Sequence, residues 1–199
     1  MKKKPSKGRP NRKAEILAAT ERILWERGVG GITTRAIAKE VPCSEGAIYV
    51  HFADRLDLVL AVLHKSLPEM LIPLKGLETL VGLATPQRNL EKATSGLVRF
   101  HERVAPMLCS MFAEPELLER FQRSLQEEGK GPDRGIGTLS KYIKQEQKLG
   151  RIAMEVEAIA AARVLMASSF FHVFTNRLLG IAAKLDVKGL VGTAIRFPA

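Results

Sequence analysis

Cysteine and tryptophan are scarce in this chain of 199 residues, which has two cysteines, Cys43 and Cys109, one tryptophan, and only 6% aromatic residues. Two cysteines cannot build a disulfide framework, which removes the small disulfide-rich secreted class. No apolar run follows the opening lysines, so no export signal is read and a cytoplasmic protein is expected. The most apolar stretch, 156–174, is interrupted by Glu157, Arg163 and His172. What remains beyond Arg163 falls short of the roughly 20 residues a bilayer-crossing helix requires, so no membrane association is expected. The two-residue alternation of strands is missing as well. His51, His64, His101 and His172 share no metal-ligand spacing with one another or with the cysteines. No nucleophile–base–orienter set, carboxylate pair or cofactor motif stands out. The expectation is therefore no metal, no cofactor and no enzyme.

What is present is basic charge and helical periodicity. The formal net charge is +10, and 46% hydrophobic residues suffice for a packed core. The first thirteen residues hold Lys2, Lys3, Lys4, Lys7, Arg9, Arg12 and Lys13 with no acid, interleaved with Pro5, Gly8 and Pro10. Residues 1–13 thus read as a flexible basic arm able to add phosphate or minor-groove contacts to a DNA-binding domain. A solvated tail that only aids solubility is the alternative.

Apolar positions Ile16, Ala19, Ile23 and Leu24 mark an amphipathic helix over 11–27, stopped by Gly28. Thr33 or Thr34 can cap a short helix over 34–41, which Pro42 and Cys43 interrupt. Ser44 then caps a second short helix through Phe52, anchored by Ile48 and Phe52 four residues apart. A longer connector over 54–67 follows, its end loosened by Pro68, Pro73 and Gly76. Further helices are expected over 86–104, 106–113, 115–128, 133–149, 156–179 and 186–197, with a mobile glycine-rich loop over 129–137. The expected fold is all-α.

A short pair of helices joined by a tight turn and preceded by an amphipathic helix has the geometry of a helix-turn-helix, whose second helix enters the major groove. The proposed face carries suitable donors: Thr33, Thr34, Ser44, Tyr49, His51 and Arg55 for phosphate oxygens, and Arg35 for a base edge or a phosphate. Gly46 and Ala47 are small enough to let the backbone approach the groove. Tyr49 is read as a functional aromatic whose phenol can donate to phosphate, with a packed tyrosine as the alternative, whereas Cys43 is read as an inert small hydrophobe rather than a redox sensor. Trp25 reads as a packing or surface residue.

Residues 16–58 resemble the TetR family of bacterial transcriptional regulators. The resemblance is carried by Ile16-Leu17, Ala19, Gly28, Thr34, Ile37-Ala38, Ser44, Gly46, Ile48-Tyr49, His51-Phe52 and Leu58, and most specifically by the run Ser-x-Gly-x-Ile-Tyr-x-His-Phe. It implies that Thr34, Tyr49, His51 and Arg55 hold phosphates and that Arg35, Glu45, Gly46 and Ala47 approach bases. Three positions depart from the family pattern. Pro42 stands where glycine is usual and cannot take a positive φ, Cys43 replaces a small aliphatic residue, and Arg55 replaces lysine. Glu45 is repelled by phosphates unless it accepts from cytosine N4 or pairs with Arg35.

The domain reading is an arm over 1–13, a helix-turn-helix domain over 14–53, and a connector, effector-binding and dimerisation domain over 54–199. In the last of these, Phe100, Met107, Met111, Phe112, Phe121, Met166, Phe170 and Phe174 form a Met/Phe-rich set. For each residue the plain alternative is core, but as a set they suit a pocket for a small apolar or amphipathic effector. Phe100, Met107, Met111, Phe112, Met166 and Phe170 are its candidate lining. The helices over 156–179 and 186–197 are the expected homodimer surface, because an all-round apolar helix has two faces to bury. The expected protein is a homodimeric repressor that an effector releases from a palindromic operator in double-stranded DNA. An activator of the same fold and an architectural DNA binder led by the arm are the alternatives.

Overall fold

The computed structural model describes residues 11–128, 131 and 133–198, so Lys2, Lys3, Lys4, Lys7 and Arg9 of the expected arm lie outside the described residues. Every regular element among the described residues is helical. α1 (Arg12–Arg27) starts where Asn11 accepts from the Ala14 N–H at 3.2 Å, and ends at Gly28, whose φ of 69° is cheap only for glycine. It buries Ile16, Ala19, Ile23 and Leu24, the stripe read from the periodicity. α2 (Thr34–Glu40) is capped by Thr33 and α3 (Glu45–Tyr49) by Ser44. Between them no residue takes a positive φ, so Pro42 fits the turn without the conformation a glycine would supply. α3 is shorter than the expected 44–52, its last residues forming a turn that still buries Phe52.

α4 (Arg55–Ser66) buries Leu58, Val59, Val62 and Leu63. Asp54 accepts from the Asp57 N–H at 2.8 Å while Asp57 accepts from the Ala53 N–H at 3.0 Å, a reciprocal clasp that fixes the start of α4. Beyond α4, the prolines leave two stretches of 3-10 helix, Leu67–Leu74 and Leu77–Leu80, where only a loosened end was expected. A Cβ at Gly96 would come within 2.3 Å of the Pro73 side chain, so only glycine lets this segment lie directly on the next helix.

That helix, α5 (Pro86–Met111), runs unbroken through Pro106, correcting the expected division into 86–104 and 106–113. Pro106 has no N–H for the carbonyl of Glu102 one turn earlier, and the Arg177 guanidinium reaches that carbonyl at 3.5 Å instead. α6 (Pro115–Glu128) and α7 (Asp133–Lys148) follow. Of the glycine-rich stretch, residues 129, 130 and 132 lie outside the described residues, and from Asp133 onward the chain is helical rather than a loop. α8 (Ala158–Leu179) packs on α5 and α7, and α9 (Val187–Ala194), shorter than expected, packs on α5 and α8.

By length and composition alone α8 could cross a bilayer, a point the sequence reading had dismissed. One of its faces, with Ala161, Ala162, Leu165, Ser169 and Val173, is part of the core. Its other face exposes Ala160, Val164, Ala167, Phe171, Phe174 and Leu178, at alternating spacings of four and three.

Two buried polar clusters hold this half together. Glu146, fully buried, accepts from the Gly82 N–H at 3.2 Å and pairs with Arg151 at 3.3 Å; Arg151 in turn reaches the carbonyls of Leu83 and Ala84. Asn89 donates to the Tyr142 hydroxyl at 2.9 Å, and burial pushes that phenol above its ordinary pKa. The second cluster is His101 between α5 and α8. Ser169 gives its proton to the Met166 carbonyl at 2.8 Å and stands 2.9 Å from His101 Nδ1, an arrangement that suits an Nδ1–H donor. The rings of Phe100 and Phe170 meet the imidazole edge to face at 5.4 and 5.5 Å. Burial in this box lowers the His101 pKa to about 4.

Glu146→Ala removes the partner of Arg151 and the acceptor of Gly82, and is expected to cost about 3 kcal/mol in urea unfolding. Glu146→Gln, which keeps an acceptor, is expected to cost less. Because folded His101 gains its proton only near pH 4, and an unfolded histidine near 6.5, its neutral burial stabilises the fold fully above pH 6.5. That contribution, about 3 kcal/mol, is lost as pH falls from 6.5 to 4. The loss of unfolding free energy over this range is expected to be smaller by that amount in His101→Gln.

Candidate nucleic-acid interface

α3 is positioned from beneath and presents what is left. Ile48 and Phe52 enter the core formed with α1, α2 and α4, so the intervening positions are driven outward. Tyr49 is 55% exposed and Val50 78%, with His51 exposed beside them. A buried tyrosine, the alternative reading of Tyr49, is therefore excluded. Gly46 is exposed, and a Cβ there would meet only the Ser44 hydroxyl at 3.9 Å. Nothing among the described residues crowds this position. Ala47 is half-buried.

The caps use part of the hydrogen-bonding capacity assigned to DNA. Thr33 accepts from the Ala36 N–H at 3.0 Å and Ser44 from the Ala47 N–H at 3.3 Å, each keeping its hydroxyl proton for an outside acceptor. Glu45 accepts from the Thr34 hydroxyl, a partner not among those weighed for it. This bond ties the start of α3 to the start of α2 and engages one of the expected phosphate donors. Arg35 is exposed on the first turn of α2. Arg12, the one expected arm contact within the described residues, pairs with Glu15 at 2.9 Å. Lys13 lies 5.5 Å over the ring of Phe52.

Arg55 is not free for phosphate as expected. Its Nη1 donates to the Val29 carbonyl at 3.1 Å and its Nη2 to Glu114 Oε2 at 2.6 Å. The neighbouring Asp54 accepts from Arg120 at 2.8 Å, and Arg120 also donates to Glu116 at 2.6 Å. Burial alone would raise the Asp54 pKa, but the Asp57 N–H and the Arg120 guanidinium outweigh it and hold the carboxyl below its ordinary value. A cleft of about 380 Å³, lined by Asp54, Arg55, Leu56 and residues 113–116, lies along these pairs.

The expected effector set separates. Phe100, Met107, Met111 and Met166 are buried, Phe170 is half-buried against His101, and Phe121 is buried on α6. Phe112 is 74% exposed at the end of α5, so it is not an interior residue: the unbroken helix carries it to the solvent side. Phe174 stacks on Phe170 at 6.4 Å from the exposed face of α8. Cys43 and Trp25 are partly buried against the core, and Cys109 is exposed.

Sequence reasoning missed Val50, Glu114 and Arg120. Val50 could have been found, since it lies midway between the anchors Ile48 and Phe52 and must therefore point away from the core. Glu114 and Arg120 lie some sixty residues from their partners, and no spacing rule joins them.

Residues 16–62 match the sequence model of the bacterial regulatory proteins of the tetR family. The HTH-type transcriptional repressor AcnR of Corynebacterium diphtheriae is 29% identical over 143 residues, covering 67% of this chain and 75% of that protein. Among solved structures, a TetR transcription regulator from Haloarcula marismortui superimposes with a TM-score of 0.70 at 20% identity, over 92% of this chain and 94% of that one. The ketosteroid transcriptional regulator KstR2 of Mycobacterium tuberculosis does so with a TM-score of 0.60 at 17% identity, over 93% and 91%. Residues 16–62 thus carry a tetR-type helix-turn-helix, and the all-helical fold is shared with these regulators over nine tenths of the chain.

Proposed function

We propose that the chain acts as a homodimeric repressor that binds a palindromic operator and leaves it when a small apolar or amphipathic molecule enters the C-terminal helices. The observation that carries the DNA reading is α3 itself. A five-residue helix anchored through Ile48 and Phe52 turns Tyr49, Val50 and His51 outward, where packing gives two aromatic or imidazole side chains and a valine no reason to be. A helix of that kind fits the major groove, with Tyr49, His51, Thr33 and Ser44 on flanking phosphates and Arg35, Gly46 and Ala47 near bases. Lys2, Lys3, Lys4, Lys7 and Arg9 add salt-dependent affinity. The repressor assignment follows the AcnR relative.

Dimerisation is supported by the outer face of α8. Its exposed positions from Ala160 to Leu178 alternate spacings of four and three, the pattern of a helix face that packs against a second helix. The small exposed residues Gly192 and Thr193 of α9 add little bulk to this end of the molecule. Effector binding is supported by the Phe100–His101–Phe170 box and by the hydroxyls of Ser66 and Thr94, both buried without a hydrogen-bond partner among the described residues. An amphipathic molecule reaching them would satisfy polar groups that cost free energy as they stand. The ketosteroid regulator of similar fold is consistent with an apolar ligand.

Selection of bound sequences from random DNA is expected to return a palindrome. Tyr49→Phe and His51→Ala are each expected to weaken binding to it about tenfold, the loss of one charged hydrogen bond; unchanged affinity in both would remove α3 from the interface. Phe171→Glu, at a position 64% exposed in the single chain, is expected to give a folded, helical monomer by sedimentation, with greatly reduced affinity for the palindrome.

A further inference from the structure

The geometry points to Glu114 as an internal competitor for the phosphate-binding cation Arg55: the α5–α6 turn offers the guanidinium a carboxylate in place of a DNA phosphate, so the position of that turn sets how much of the cation the operator receives. The inference rests on the DNA-binding reading above.

Arg55 opens α4 three residues after Phe52, which makes it a cation of the reading head rather than of the helices behind it. A guanidinium binds carboxylate and phosphate through the same planar fork of donors. Here both terminal nitrogens are engaged, Nη1 by the Val29 carbonyl and Nη2 by Glu114. While that pair persists, Arg55 brings no net charge to a phosphate. Its side chain remains about one third exposed, as does that of Glu114. Such a half-solvated pair adds little to folding and exchanges readily for another anion.

The competitor is held in place from the effector half. Glu114 follows directly on α5, whose last turn buries Met107 and Met111 in the core and whose middle carries Phe100 and His101. On its other side α6 is fixed to the reading head through Arg120 and Asp54. A shift of the end of α5 would therefore move Glu114 relative to Arg55 while Arg120 keeps α6 attached. This is a change in available charge, separate from any change in the distance between two reading heads.

The test uses the full-length protein and the palindrome returned by selection, with affinity measured over a salt series. Glu114→Gln is expected to tighten operator binding several-fold and to steepen the slope of log K against log salt by about 0.9, the signature of one more phosphate contact. Glu114→Asp retains the charge but withdraws it by one methylene, and is expected to give a smaller gain in the same direction. In an Arg55→Gln background, Glu114→Gln is expected to give no gain. Wild-type affinity and slope in both Glu114 variants, or an equal gain with Arg55 absent, would overturn the inference and leave the DNA reading intact. Failure of the wild-type protein to select any sequence would remove both.

Discussion

α4 is shared between the helix-turn-helix and the rest of the molecule, and the rest of the structure depends on that sharing. Its buried Leu58, Val59, Val62 and Leu63 belong to one continuous core, and α4 meets α1 as well as the 3-10 segment and α6. Apolar burial of this kind has no direction of its own and does not set an angle. Orientation comes from the polar contacts at the two ends of the junction: the reciprocal Asp54–Asp57 capping at the start of α4, and the Arg120 and Glu114 pairs that tie it to α6 and to the turn before it. Greasy contact keeps the reading head on the body, while a few exchangeable charges decide how it sits.

That division explains why the reading surface is so sparsely charged. The folded helix-turn-helix is nearly neutral, with Arg12, Arg22 and Arg55 paired to Glu15, Glu40 and Glu114. The basic excess is concentrated in the first thirteen residues of the sequence. Of the groups proposed to lie near bases, Gly46 and Ala47 are neutral, while Arg35 is charged and exposed. An affinity that can be regulated has to be marginal, and a neutral head offset by internal acids is one way to keep it so.

The helical order and the reading motif were legible in the sequence because both are local. Ile16, Ile23 and Leu24 repeat with the period of one helix, and Thr33, Ser44 and Asp54 announce starts through hydrogen bonds that span three residues. Pro106 misled because the local rule was sound but incomplete: the carbonyl it leaves vacant is met by Arg177, distant in sequence. Phe112 was placed indoors on composition alone, and an uninterrupted α5 turns it out. Arg55 was recognised by chemistry and position, but whether a cation is available depends on what folds beside it. Glu114 could not be read from the residues near Arg55.

The contact of Gly96 with Pro73 couples the two positions sterically. With 2.3 Å between the ring and a hypothetical Cβ, neither position can gain bulk alone, and a smaller residue at 73 would open space that only a side chain at 96 could refill. A side chain at 96 would lift the segment after α4 off α5, and with it the end of α4.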